Sequence, residues 1–209
     1  MKGLFCVFEG IDGSGKSTLL KESSSLLHAR ARSLGFSGMI VLKEPKDTGT
    51  GRKIRERLKN HDDPGRAEWL RLFLEDREEN VRENILPALS RGELILQDRY
   101  YFSTAAYQGL PGQSPSPEEI VTQNERKGFP PPDVIFFIHI EPYLALARMK
   151  GREQAAENFE KRELLERIAA NYENILPAGT VRLDARETVE NLLKNVLLEV
   201  EKKARSRGG

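Results

Sequence analysis

Eight residues near the start of the chain, Gly10-Ile11-Asp12-Gly13-Ser14-Gly15-Lys16-Ser17, constrain what it can fold into more than any other stretch. They fit the spacing G-x-x-x-x-G-K-[ST], and their surroundings agree with it. The apolar run Leu4-Phe5-Cys6-Val7-Phe8 before them reads as a buried strand, and a helical pattern follows Ser17-Thr18-Leu19-Leu20. A loop of this kind turns tightly on its glycines, so that successive N–H groups point inward at phosphate oxygens. Lys16 adds a positive charge for the β- and γ-phosphates, and the Ser17 hydroxyl can enter a Mg2+ shell. The helix that begins at the loop turns its N-terminal partial charge toward the same anion. Residues Gly10, Ile11, Asp12, Gly13, Ser14, Gly15, Lys16, Ser17 and Thr18 are therefore expected to cradle a nucleotide's phosphates. The loop alone does not say what is done with them.

Short apolar runs recur along the chain with helical stretches between them. Strands are expected at Gly38 to Leu42, Leu94 to Leu96 (running into Gln97-Asp98), Val134 to Ile140 and Thr180 to Leu183. Helices are expected near 16–34, 51–59, 67–91, 117–126, 142–150, 161–176 and 188–205. Strands this short and this apolar suit a parallel sheet covered on both faces. The alternation predicts an α/β fold, a three-layer sandwich with a five-stranded parallel sheet flanked by helices, and with ligands beyond the carboxyl ends of the strands. Those ends are polar: Glu9, Lys43-Glu44, Asp98-Arg99 and Glu141.

At 209 residues the chain is read as a single domain, 1–209. Lys+Arg 33 against Asp+Glu 32 leaves a net charge of +1, so no basic field points to a nucleic-acid partner. The basic end, Lys202 to Gly209, is expected to be a frayed, solvated tail. The lone cysteine, Cys6, has no intrachain partner for a disulfide and is expected to be a small buried core residue. With no apolar run of membrane-spanning length and no leader-like start, the expected compartment is the cytoplasm, with no membrane partner.

The third strand runs into Asp98-Arg99-Tyr100-Tyr101-Phe102-Ser103-Thr104-Ala105-Ala106-Tyr107-Gln108-Gly109. An acid ending an interior strand beside a phosphate loop can hold Mg2+, and the neighbouring guanidinium suits bidentate phosphate recognition. By spacing alone, Asp98 and Arg99 read equally well as a structural ion pair.

These residues carry a family resemblance. The chain resembles the thymidylate kinases through Phe8 to Thr18, through Asp98-Arg99-Tyr100 with Ser103-Thr104-x-x-Tyr107-Gln108-Gly109, and through Leu72-Phe73-Leu74-Glu75-Asp76-Arg77. Lys43-Glu44-Pro45-Lys46-Asp47-Thr48 is similar to a further motif, normally Arg-Glu-Pro-Gly-Gly-Thr, with Arg55 just after it. The resemblance runs in order from about Gly3 to Leu183. It implies phosphorylation of thymidine monophosphate (dTMP) to the diphosphate with ATP as donor, in the synthesis of thymidine triphosphate. It also implies Mg2+ as the metal, held by Ser17 and Asp98, and a homodimer whose partner surface could be the long helix. Other readings are another nucleoside monophosphate or deoxynucleoside kinase of the same fold, and a nucleotide-binding protein without turnover.

The resemblance assigns roles residue by residue. Phe73 would stack on the base, and Arg77, one turn on, would reach the base or monophosphate from the same helix face. Ser103, Thr104 and Gln108 would bond the base edge, and Tyr107 would pack under the sugar, with Tyr172 near it. Glu44, Arg55 and Arg99 would complete the acceptor site, Arg99 clamping the phosphate with Lys43 nearby. The catalytic set would be Lys16, Arg99, Asp12 and a cation from a mobile lid at about 148–162, first Arg152, then Arg148, with Arg162 a weaker choice. Some members carry an arginine at the position of Gly13; glycine here implies the type whose catalytic arginine sits on the lid. Lys43 stands for the motif's Arg, and Lys46-Asp47 for its Gly-Gly, which alters the loop's approach to the acceptor.

Overall fold

The computed structural model describes residues 2–110, 112–149 and 155–208. Five strands, β1 (Leu4–Glu9), β2 (Met39–Lys43), β3 (Leu94–Asp98), β4 (Val134–His139) and β5 (Val181–Asp184), form one parallel sheet in the order β2-β3-β1-β4-β5. β1 is buried from end to end, and β3 and β4 are buried along almost all their length. This is the condition that their apolar, non-alternating sequences predict. The helices are α1 (Lys16–Arg30), α2 (Gly49–Lys59), α3 (Arg66–Asn80), α4 (Leu86–Ser90), α5 (Tyr101–Gln108), α6 (Pro117–Arg126), α7 (Pro142–Met149), α8 (Ala155–Ile175) and α9 (Val189–Gly208). The expected α/β sandwich is the observed fold.

The strand order positions the site. β1 is central, and the chain leaves it first toward β3 and β2 and later toward β4 and β5, so its carboxyl end is a topological switch point. Phe8 is in register with Asp98, Glu9 with Phe137, and Lys43 with Asp98. Glu9, Asp98 and Glu44 thus arrive at one edge of the sheet. The Arg99 N–H donates to Phe8 O (3.0 Å) and the Glu44 N–H to Asp98 O (2.9 Å), continuing the ladder into the loops.

Four expectations change. The helix expected over 67–91 is interrupted by a π-helical turn, Val81–Ile85, before α4. The run after Arg99 is helical as α5, which was not expected because six of its eight residues are buried and no polar face marks its period. α8 begins at Ala155, earlier than the helix expected over 161–176. Lys202 to Gly208 is not frayed but completes α9. Ala204 is buried there, and Arg207 donates to Gly3 O and to Asp133. Cys6 is fully buried in β1, where burial pushes its thiol pKa up.

Candidate active site

The loop after β1 encloses a cradle of about 110 Å³ lined by Ile11 to Thr18 and by Arg99. Gly13 has φ 79°, a conformation that disfavours side chains, and a Cβ there would lie 2.4 Å from the Ala145 carbonyl of α7. An arginine cannot be seated at this position without moving α7. Lys16 opens α1, and its ammonium is buried against the Asp98 carboxylate. Burial pushes its pKa down, Arg99 adds to that, and Asp98 opposes it. Ser14 Oγ is buried with no hydrogen-bond partner among the described residues, whereas Ser17 and Thr18 are exposed at the mouth. Asp98 and Ser17 are hard oxygen donors of the kind Mg2+ takes alongside phosphate oxygens.

Beside the cradle lies a second, more apolar cavity of about 230 Å³. Its walls are Asp12, Glu44, Pro45, Leu58, Phe73, Arg77, Arg99, Tyr100, Ser103, Thr104, Tyr107 and Gln108. Most of the residues assigned to the acceptor by resemblance therefore converge on one space, from the ends of β2 and β3, from α3 and from α5. Phe73 is half-buried on the wall and packs against Trp69, ring centroids 5.9 Å apart. Asp12 and Arg99 line both cavities. The Arg99 guanidinium donates to Asp12 Oδ1 (2.6 Å), Ser103 Oγ (3.0 Å) and the Tyr107 hydroxyl (3.3 Å), and lies over the Tyr107 ring at 4.9 Å. The Tyr107 hydroxyl also accepts from the Asp12 N–H (3.1 Å). A single cation is thus fixed at the partition between two cavities.

Arg77, a surface charge by composition, is only 1% exposed. Its donors go to Glu44 Oε2 (2.9 Å), Asn124 Oδ1 (2.9 Å) and Thr104 Oγ1 (2.9 Å), and it lies 5.3 Å over the Tyr100 ring. It forms part of the cavity wall rather than reaching into the space. Burial raises the Glu44 pKa, with Arg77 and Asn80 opposing. Ser103 is held from behind. Its hydroxyl donates to Glu9 Oε2 (2.5 Å), which also accepts from the Tyr172 hydroxyl (3.0 Å), while Glu9 Oε1 accepts from the Tyr100 N–H (2.8 Å). Burial raises the Glu9 pKa against these three donors and Arg99. Tyr172 does not line the cavity, contrary to expectation; it is fully buried behind Ser103.

Arg55 and Lys43 do not line the cavity either. Arg55 donates to Pro45 O (2.9 Å) and pairs with Asp47 (3.2 Å), and Lys43 pairs with the same carboxylate at 2.6 Å. Arg148 sits at the cradle's rim, donating to Ser14 O (3.3 Å) and Ala185 O (2.7 Å). Arg162 is exposed and pairs with Glu166. Arg152 lies outside the described residues. Sequence reasoning missed the supports of the site. Glu9 stood out only as a polar strand end, and Asn124 gave no signal, because its role depends on α6 packing across Arg77.

Comparison with known proteins finds relatives along nearly the whole chain. A family model described as thymidylate kinase matches residues 8–196. A thymidylate kinase of Leptospira interrogans serogroup Icterohaemorrhagiae serovar copenhageni is 40% identical over 197 residues, covering 94% of this chain and 93% of that protein. The thymidylate kinase of Desulfotalea psychrophila is 34% identical over 200 residues, 95% of each chain. A probable thymidylate kinase of Archaeoglobus fulgidus is 36% identical over 196 residues, 92% of each chain.

Proposed function

The chain belongs to the thymidylate kinase family, and on that premise we propose that it transfers the γ-phosphoryl group of ATP to dTMP, yielding thymidine diphosphate and ADP in the supply of thymidine triphosphate. The observation that carries the assignment of sites is the position of Arg99, which lines the phosphate cradle and the adjoining cavity at once. ATP takes the cradle of Gly10 to Thr18, and dTMP takes the cavity walled by Phe73, Arg77 and α5.

The chemistry follows from charge. The nucleophile is a phosphate oxygen already ionised at neutral pH, so no strong general base is required. The protein has to align two anions and neutralise them. Two unit charges about 4 Å apart repel by roughly 4 kcal/mol at an effective dielectric near 20. Arg99 faces the acceptor phosphate, positioned by Asp12, Ser103 and Tyr107. Lys16 exchanges the Asp98 carboxylate for the donor's β- and γ-phosphate oxygens. Of the lid arginines, Arg148 is already placed against the phosphate loop, whereas Arg162 pairs with Glu166. Ser17 and Asp98 would hold Mg2+, which neutralises charge on the donor phosphates when bound. Phe73 offers the flat face for the base, and Thr104 and Gln108 the polar edge.

The family resemblance supports a homodimer in the cytoplasm. Leu86 stands exposed beyond the end of α3, on the surface read as facing a partner. Among the described residues no helix is long and apolar enough to cross a membrane. The test is to incubate the protein with Mg-ATP and each nucleoside monophosphate in turn and to follow ADP release. dTMP is expected to be the preferred acceptor. A protein showing no preference for thymidine or deoxyuridine monophosphate overturns the substrate assignment.

A further inference from the structure

The loop between β2 and α2 departs from the motif it resembles at Lys46 and Asp47, and both departures have partners. Asp47 is held by Lys43 and Arg55 at the exposed rim. Lys46 turns inward, and its side chain is 9% exposed. Its ammonium lies 3.1 Å from Glu79 Oε2 on α3 and 3.0 Å from Glu83 Oε2 in the π-helical turn. Its backbone N–H donates to Asp76 Oδ2 (3.1 Å). Glu79 in turn accepts from the Thr50 hydroxyl (2.8 Å) in the first turn of α2. The packing around the loop leaves no slack: a Cβ on Gly51 would lie 2.4 Å from Lys46 N and 2.6 Å from Asp76 Oδ1.

These contacts join the two walls of the acceptor cavity. Glu44 and Pro45, immediately before Lys46, form one wall; Phe73 and Arg77, on the helix that carries Asp76 and Glu79, form the other. A glycine at position 46 would keep the backbone bond to Asp76 but could not make the ammonium's ties to Glu79 and Glu83, and the lysine touches neither the phosphate cradle nor Arg99. We propose that Lys46 is a positioning residue that sets the width of the acceptor cavity by clamping the Glu44–Pro45 loop to α3 and the π turn through Glu79 and Glu83. The inference rests on the reading of that cavity as the dTMP site. A clamp on the cavity's width acts on binding of the monophosphate and leaves the donor site alone.

The experiment measures kcat, KM for dTMP, KM for ATP and thermal midpoint for wild type, Lys46→Met, Lys46→Arg, Glu83→Gln and Lys46→Met/Glu83→Gln. Lys46→Met keeps the apolar stem and removes the charge. It should raise KM for dTMP about tenfold, a ~1.4 kcal/mol coupling, with kcat and KM for ATP nearly unchanged. Lys46→Arg should restore most of the loss. Glu83→Gln should move the same parameter in the same direction, and the double variant should be no worse than Lys46→Met. The proposal is overturned if KM for dTMP stays at the wild-type value, if losses spread equally over both substrates and kcat, or if the two substitutions add independently. Should Lys46→Met not fold, Glu83→Gln decides alone: its carboxylate is half exposed, and an unchanged KM for dTMP in that variant refutes the clamp. Absence of wild-type turnover with dTMP refutes the functional reading and this inference with it; wild-type turnover with unaltered variants refutes the clamp only.

Discussion

Arg99 adopts φ 64°, a left-handed conformation that a non-glycine residue enters at a cost of order 1–3 kcal/mol. The cost is held in place by the surrounding bonds: the Arg99 N–H donates to Phe8 O (3.0 Å), and its carbonyl accepts from Gln97 Nε2 (2.8 Å). The turn swings the guanidinium off the strand axis into the gap between cradle and cavity. Substituting alanine keeps a Cβ and so leaves the backbone cost nearly unchanged, which isolates the charge. Arg99→Ala should lower kcat by about 10²–10³-fold, the size of loss seen when one preorganised donor to a developing charge is removed. ATP affinity, measured by calorimetry without acceptor, should stay nearly intact because Lys16 and the loop amides remain. An equal loss of ATP affinity would place Arg99 on the donor rather than the acceptor. The residue itself was legible in the sequence, as part of Asp98-Arg99-Tyr100, but its position across two cavities was not. That depends on a backbone conformation which residue type argues against.

At the scale of elements, α3 shows why sequence patterning had less to say about the acceptor side. Its inner face carries Asp76, Arg77 and Asn80, all nearly or fully buried, so an apolar stripe does not mark which side packs. The phosphate loop, by contrast, was readable in full because its chemistry is local: glycines, a lysine and a hydroxyl at fixed spacing. The ion pairs that α3 makes on the acceptor side, Arg77 with Glu44 and Glu79 with Lys46, are long-range and appear only when β2, α2 and α5 close around it. Their cost shows in Asp76, whose pKa is pushed from 3.8 up to about 7 by burial and by the neighbouring Glu44, against the Lys46 N–H and the charges of Lys46 and Arg77. The folded chain therefore binds this proton more tightly than the unfolded chain does. Folding takes up a proton between those two values, and this group's contribution to stability falls as pH rises from about 4 to about 7, then levels off. Urea unfolding across that range should show the decline. Asp76→Asn keeps a carbonyl for the Lys46 N–H and should remove this share of the slope. An unaltered slope in the variant would rule out Asp76 as its source.

Across the whole molecule, chemistry and stability sit at opposite ends of the sheet. The cradle and the acceptor cavity occupy the carboxyl ends of β1, β2 and β3, where the strand order places ligands. At the amino ends, α9 ties the sheet together. Arg207 donates to Gly3 O just before β1 and to Asp133 just before β4, and the same Asp133 carboxylate accepts from the Phe5 N–H (2.8 Å). The basic composition of Lys202 to Gly209 concealed this, since a run of charges reads as a solvated end unless the partners that receive it are known. Ala204, the one small apolar residue in the run, is the buried side of the helix turn. Both partners of the Arg207–Asp133 pair are partly exposed, at 21% and 28%, so solvent screens it. Arg207→Ala should therefore cost about 1–2 kcal/mol of unfolding free energy in urea, most of it from charge-assisted hydrogen bonds at the strand ends. KM for dTMP and for ATP should not move in the folded variant, because no wall of either cavity includes α9. A change in either KM without loss of stability would show that the two ends of the sheet are coupled, and that the division of labour drawn from the strand order is wrong.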